Sequence, residues 1–305
     1  MIRLQQHRHA LGSEVYITLV GTDEHFLAAT FALVWQDITL FEHTFSRFLP
    51  DSELSYVNER AGIPTEVSQE FVALARCSYD FSKRTDGLYN PFVLPALQRA
   101  GYKGSWPHVA VQGDAPDFSD RSFVSGTALQ LDGTTVTIPA DSALDFGGIG
   151  KGYALDQLGE LLRRQGIKDY WLSLGGDILA SGHDVDGSQW RVEISQALDQ
   201  DASCGAFLIG PGPYAVATSG TMKRAGKGWN HLIDPRTGQA TTSDIISATV
   251  AAESGAVADV YAKCLLLVGS KQAPAFAKRL GIAHYVLQTR TKQGTVEVIK
   301  QGDMV

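Results

Sequence analysis

Apolar residues at steps of three and four mark the first strong element. Leu27, Phe31, Val34, Ile38, Phe41 and Phe45 fall on one side of a helix, which predicts a long amphipathic helix that buries one stripe. Ahead of it, residues 14–20 (EVYITLV) read as a strand. After it, Pro50-Asp51-Ser52 in FSRFLPDSELSYVN predicts a turn. A second helix is expected over residues 68–84, with Ser68 as its cap and Gly87 past its end. Residues 101–125 carry little periodicity and are expected to form a surface excursion. Residues 128–138 (ALQLDGTTVTI) predict a hairpin turning at Asp132-Gly133. A helix over 152–165, closed by Gly166, follows.

The second half is strand-rich. YWLSLGGDILASG (170–182) reads as strand, tight turn, strand, and WRVEI (190–194) and YAVATS (214–219) as further strands. SATVAA (247–252) leads into a helix starting near Ser254, and residues 271–280 form a short helix with Pro274 in its first turn. HYVLQ and VEVI close the chain as strands. Strands linked as hairpins between helices, without regular βαβ alternation, favour an α+β fold.

Composition narrows the function classes. The chain has 305 residues, 44% apolar and 19% charged, enough for a sizeable core. A net charge of −7 without any Lys/Arg run argues against a nucleic-acid surface. Three dispersed cysteines, Cys77, Cys204 and Cys264, suit burial as small apolar groups better than a zinc site or a disulfide framework. No stretch of about 18 apolar residues predicts a membrane span. As written the chain is expected in the cytoplasm; if a leader has been removed, it is expected to be periplasmic or exported.

Residues 144–156 read LDFGGIGKGYALD. A Walker A loop requires Ser or Thr after Gly150-Lys151, where Gly152 stands, and Asp145 occupies the place of its first glycine. A dinucleotide fingerprint starting at Gly148 requires glycine at position 153, which is Tyr153. Two readings stay open: a tight strand-to-helix turn, or an anion site at a helix N-terminus with Lys151 as a mobile cation. LGGD (174–177) reads as a hairpin corner or a ligand loop. TSG (218–220) offers two hydroxyls at a strand end. In HLIDPRTG (231–238) a histidine and a carboxylate lie three apart, which permits acid–base work or a structural turn. Asp259 and Lys263 are spaced i, i+4 on an apolar helix, so a partly buried pair is expected.

Taken in order, these stretches resemble the ApbE family of FAD:protein FMN transferases. The resemblance runs through ALGSEVYITLVG, FSRFLPDSELSYVN, DGLYNPFVLPAL, LDFGGIGKGYALD, WLSLGGDILASG, AVATSG, HLIDPRTG and ISATVAAESGAVADVYAKCLLLVG, spanning roughly residues 10–270. It implies one ApbE-like domain over 1–305, two-lobed and of the T-fold type, with mixed sheets flanked by helices and FAD between the lobes. It also implies transfer of the FMN half of FAD to a Thr or Ser hydroxyl of an acceptor flavoprotein, with AMP as leaving group and Mg²⁺ as cofactor. Backbone amides, a cation and Mg²⁺ would stabilise the charge that builds on the diphosphate. By the same resemblance, Asp145 and Lys151 contact FAD, Phe48 stacks on the isoalloxazine ring, and Leu11, Leu88, Tyr89 and Asn90 line the pocket. Ile233 lies against the cofactor, and Gly176, Thr218 and Ser219 belong to FAD-binding turns. The Gly148 carbonyl and Asp259 are implied as metal ligands. His231 or Asp234 takes or orients the acceptor hydroxyl's proton.

Five positions depart from the family pattern, and they bear on the reaction more than on the fold. Lys263 stands where the family carries the Thr that joins Asp259 in holding metal; a protonated lysine cannot ligate Mg²⁺. Thr221-Met222 follows TSG where Asp or Asn and then Tyr is usual, Asn230 replaces the Ser before His231, and Asn90 replaces a carboxylate. The alternative implied is a non-catalytic FAD-binding member in which Lys263 replaces the metal.

Overall fold

The computed structural model describes residues 1–99, 125–199, 201–222, 225–226, 229–291 and 293–305. Nearly all of the excursion expected over 101–125 lies outside the described residues.

Strands β1 (Ile2–Ala10) and β2 (Ser13–Gly21) form a hairpin closed by Leu11-Gly12. Both turn residues have positive φ, 54° and 62°, the conformation whose twist matches the paired strands. Leu11 adopts it at a steric cost of about 1 kcal/mol. Helix α1 (Glu24–Phe45) buries Leu27, Phe31, Val34, Ile38 and Phe45 of the expected stripe, and its Phe41 is partly buried. Then come α2 (Glu53–Glu59), β3 (Thr65–Glu66), α3 (Gln69–Arg84) and α4 (Leu94–Arg99). The Ser52 and Ser68 side chains cap α2 and α3 by accepting from Ser55 N–H and Phe71 N–H. Strands β4 (Gln130–Asp132) and β5 (Thr135–Thr137) make the expected hairpin. Helix α5 (Gly150–Arg164), β6 (Asp169–Leu174), β7 (Asp177–Ser181), β8 (Trp190–Ser195), β9 (Ser203–Ile209) and β10 (Tyr214–Gly220) follow. Four two-residue strands come next: β11 (Ala225–Gly226), β12 (Trp229–Asn230), β13 (Ile233–Asp234) and β14 (Gln239–Ala240). The chain then forms β15 (Ile245–Ala252), α6 (Gly255–Val268), α7 (Ala273–Leu280), β16 (His284–Arg290) and β17 (Val296–Gln301).

Contacts divide the chain into two compact units. The first comprises Met1–Leu40, Ile149–Gly220 and Asp244–Val305. Its sheet has eight strands in the order β1-β2-β6-β7-β10-β15-β16-β17. Where mixed sheets are expected, every described pairing in this sheet is antiparallel, and each strand pairs with the preceding strand of the sheet in chain order. Helix α5 packs on β6 and β7, and α6 on β10 and β15. Leu179 of β7 faces α5, beside Gly159. Its neighbours Ile178 and Ala180 join the opposite cluster, under the β8–β9 hairpin, with Trp190, Val192 and Phe207, as strand alternation requires. Buried Gln288 fastens that hairpin to β16: its amide accepts from Ala197 N–H at 2.6 Å and donates to the Ser195 carbonyl at 3.0 Å.

The second unit comprises Phe41–Gly148 and Thr221–Ser243. Phe45, Phe71 and Phe146 pack as a triple of rings with centroids 5.7–5.9 Å apart. The Asn58 side chain clasps the Leu144 backbone, accepting from its N–H at 2.7 Å and donating to its carbonyl at 3.0 Å. This clasp anchors the entry to the glycine-rich stretch.

The pattern of the sequence predicts neither β1, β3, α2, α4 and β9 nor the short strands β11 to β14. β1 contains no fully buried residue, so it has no apolar alternation to read. α2 and α4 are only seven and six residues long, too short to show a helical period.

Candidate functional site

The first unit brings two acid–base pairs together around the start of α5. Asp177 opens β7 after the Gly175-Gly176 turn, in which both glycines have positive φ, 61° and 95°. Its side chain is almost wholly buried. Oδ1 accepts from the Thr218 N–H at 3.1 Å, and Oδ2 pairs with the Lys151 ammonium. The Thr218 hydroxyl bonds to that of Thr249 at 2.9 Å, and Ser219 is buried. Lys151 is the second residue of α5, a helix whose N-terminus has no side-chain cap. Such an end presents backbone N–H groups and a positive dipole.

Asp259 lies on α6 at 2% exposure. One carboxylate oxygen pairs with Lys263, four residues on, and the other accepts from the Gly152 N–H at 3.2 Å. Lys263 also donates to the Asp259 backbone carbonyl at 3.3 Å. Burial pushes the Asp259 carboxyl upward, but Lys263, then Lys151, then the Gly152 N–H outweigh it and hold the group below the ordinary carboxylate value. The helices meet closely here: a Cβ on Gly152 would lie 2.2 Å from the Gly255 carbonyl oxygen. Asp156 of α5 binds the start of α6, accepting from Ser254 Oγ, Gly255 N–H and Ala256 N–H at 2.7, 2.6 and 3.0 Å. Burial raises the Asp156 carboxyl, and these three bonds oppose the rise.

The second unit holds the remaining expected residues. Asp145 accepts from the Gly147 N–H at 2.6 Å and pairs with Arg47 at 2.7 Å. The Arg47 guanidinium carbon lies 4.2 Å from the centroid of the Phe48 ring, which is 40% exposed. Leu88, Tyr89 and Asn90 are buried. The Tyr89 hydroxyl bonds to Ser78 and the Asn90 side-chain Oδ1 accepts from Phe92 N–H, so these residues shape the unit's interior. Ile233 is also buried. Asp234 is clamped by Arg236, which donates both guanidinium bonds and its backbone N–H to the carboxylate. The HLIDPRTG carboxylate therefore organises a turn. His231, half-buried, precedes it. Leu11 lies in the positive-φ turn of the first unit, and Gly148 closes the second unit's first segment.

Three roles escape the sequence pattern. Arg47 follows the end of α1, where no periodicity singles it out. Asp177 follows the two glycines of LGGD, and a charged residue opening an apolar strand is its signal in the sequence. Asp156 ends LDFGGIGKGYALD, and its role rests on partners about 100 positions away at the start of α6.

A divalent ion on Asp259 does not fit the residues present. Both carboxylate oxygens are engaged, one by an ammonium that cannot ligate. Among the described residues no three His, Cys, Asp or Glu side chains gather into a metal-binding group. A diphosphate fits the start of α5 beside Lys151, where Ile149 gives no side-chain cap and Asp259 takes the Gly152 N–H among the first-turn donors. No helix of the described residues is long and apolar enough to cross a membrane.

Comparison with known proteins identifies the family and the fold. An FAD:protein FMN transferase of Vibrio cholerae is 30% identical over 241 residues, covering 76% of this chain and 71% of the relative. One from Klebsiella pneumoniae strain 342 is 28% identical over 294 residues, covering 91% and 82%. The solved flavin transferase ApbE of Vibrio cholerae superposes with a TM-score of 0.84 at 25% identity, covering 98% of this chain and 97% of that one. The apo flavinyl transferase ApbE of Pseudomonas stutzeri shares the fold, with a TM-score of 0.85 at 22% identity over 98% and 95%. The ApbE family profile matches residues 11–286, and the chain belongs to the ApbE family.

Proposed function

We propose that the protein transfers the FMN portion of FAD to a Thr or Ser hydroxyl of an acceptor flavoprotein and releases AMP. The observation that carries this reading is Lys151, positioned by buried Asp177 at the uncapped N-terminus of α5. Helix dipole, backbone N–H groups and a placed ammonium suit a diphosphate on which charge builds during transfer. In the second unit, the exposed Phe48 ring, held beside Arg47, suits a flavin ring.

The acceptor oxygen forms a bond to the FMN-side phosphorus as the bond from that phosphorus to the bridging oxygen breaks. The electron pair of the broken bond leaves on the AMP phosphate. The hydroxyl proton goes to His231, whose imidazole nitrogen accepts it. Asp234, committed to Arg236, orients the turn that carries His231.

The test combines purified protein, FAD and an acceptor domain bearing the Thr-containing motif. AMP release and covalent flavin fluorescence on a denaturing gel are followed together. Both are expected, and both fall about 100-fold in Lys151→Met, the scale of losing one placed donor. Bound FAD with neither product would instead support the second reading, a flavin holder without transfer, which the Lys263–Asp259 pair favours.

A further inference from the structure

Asp259 and Lys263 form a buried pair on α6 that has no part in the proton transfer to His231. The carboxylate is buried and therefore requires a resident positive charge. Lys263 provides it, and its second bond, to the Asp259 backbone carbonyl, holds the side chain along α6. The Gly152 N–H occupies the other carboxylate oxygen and ties the pair to the first turn of α5. Lys151 acts on the same carboxylate through space. A dication added here would face two ammoniums and would have to evict Lys263 from its only acidic partner on α6. The Lys263 side chain keeps 18% exposure, so its ammonium can still meet a ligand oxygen.

We propose that Lys263 is the resident cation of the transfer site, and that flavin transfer by this protein proceeds without a divalent ion. The inference rests on the transferase reading. The bonds made and broken are those given above. Lys263 remains protonated throughout and places its charge and N–H groups where negative charge grows on the diphosphate. No oxidant, reductant or further reactant enters.

The experiment has two arms. The first titrates Mn²⁺ into the full chain with FAD and follows free Mn²⁺ by electron paramagnetic resonance. Wild type is expected to bind no Mn²⁺ at millimolar concentration, and Lys263→Thr, which frees Asp259 and adds a hydroxyl, is expected to bind one. The second compares transfer rates in EDTA and in Mg²⁺. Wild type is expected to be equal in both within about twofold. Lys263→Thr is expected to lose about 100-fold in EDTA and to recover with Mg²⁺. Lys263→Arg keeps the charge and is expected to stay insensitive to EDTA should the Thr variant not fold. One Mn²⁺ bound by wild type, or wild-type transfer abolished by EDTA and restored by Mg²⁺, overturns the proposal while leaving the transferase reading intact. If wild type makes no AMP in either condition, the transferase reading falls. The claim of transfer without a divalent ion then falls with it, and Mn²⁺ binding by wild type would separately overturn Lys263 as the resident cation.

Discussion

Cutting the Lys151–Asp177 pair from either side should have very different consequences for stability. Asp177 is 2% exposed, whereas the Lys151 side chain is 24% exposed. In Asp177→Asn the remaining oxygen still accepts from Thr218, and the lysine turns its ammonium to water. The loss is then about 1–2 kcal/mol, that of a hydrogen bond to a charged group. In Lys151→Met the buried carboxylate keeps its charge and loses its counter-ion. Among the described residues Asp177 Oδ2 has no partner besides Lys151. The expected cost is about 3–5 kcal/mol, that of an orphaned buried charge. The double variant removes both charges, and its loss should fall short of the sum by about 2–3 kcal/mol. Urea denaturation of the four proteins measures each term from the midpoint at constant slope. Additive losses within about 0.5 kcal/mol, or a Lys151→Met cost no larger than that of Asp177→Asn, would refute the reasoning.

Other perturbations follow from the same geometry. Asp156→Ala strips three bonds from the start of α6 and should cost about 2–3 kcal/mol. At the usual unfolding entropy per residue this lowers Tm by about 4 °C, measurable by calorimetry. Gly152→Ala drives a Cβ into backbone that cannot yield, 2.2 Å from the Gly255 oxygen, and should cost at least about 3 kcal/mol by urea midpoint. Gly212→Ala, where nothing lies within 4 Å of the added atom, should change stability by less than about 0.5 kcal/mol. Asp259, whose carboxyl is lowered from 3.8 when folded, contributes stability that is present above that value and lost as pH falls through its folded value. The wild-type urea midpoint should therefore drop between pH 5 and pH 3, and Lys263→Met should show a smaller drop.

The sequence carried the helices and strands whose side chains have one buried face. Leu27 through Phe45, Ser68 before α3 and Ser254 before α6 were legible because amphipathic period and capping are local properties. β1 was not, since an edge strand without a buried residue has no alternation to display. Family resemblance picked out Lys151, Asp145 and Phe48, and spacing picked out Asp259 with Lys263. Asp177 and Arg47 were hidden because their roles depend on partners 26 and 98 positions away, Lys151 and Asp145. No window of local sequence contains both members of either pair.

The strand order of the large sheet bears on how the chain reaches its native state. Each strand lies beside one made earlier, so the sheet can grow from a single edge as polypeptide leaves the ribosome. The one long wait falls between β2 and β6, whose pairing joins Val20 to Asp169. At about 5–20 residues per second, synthesis of that interval takes on the order of ten seconds or more. Closing so large a loop adds little entropic penalty over a shorter one, about 0.6 kcal/mol per doubling. The risk is exposure: the open edge of β2 is the surface a nascent chain must shield until β6 arrives.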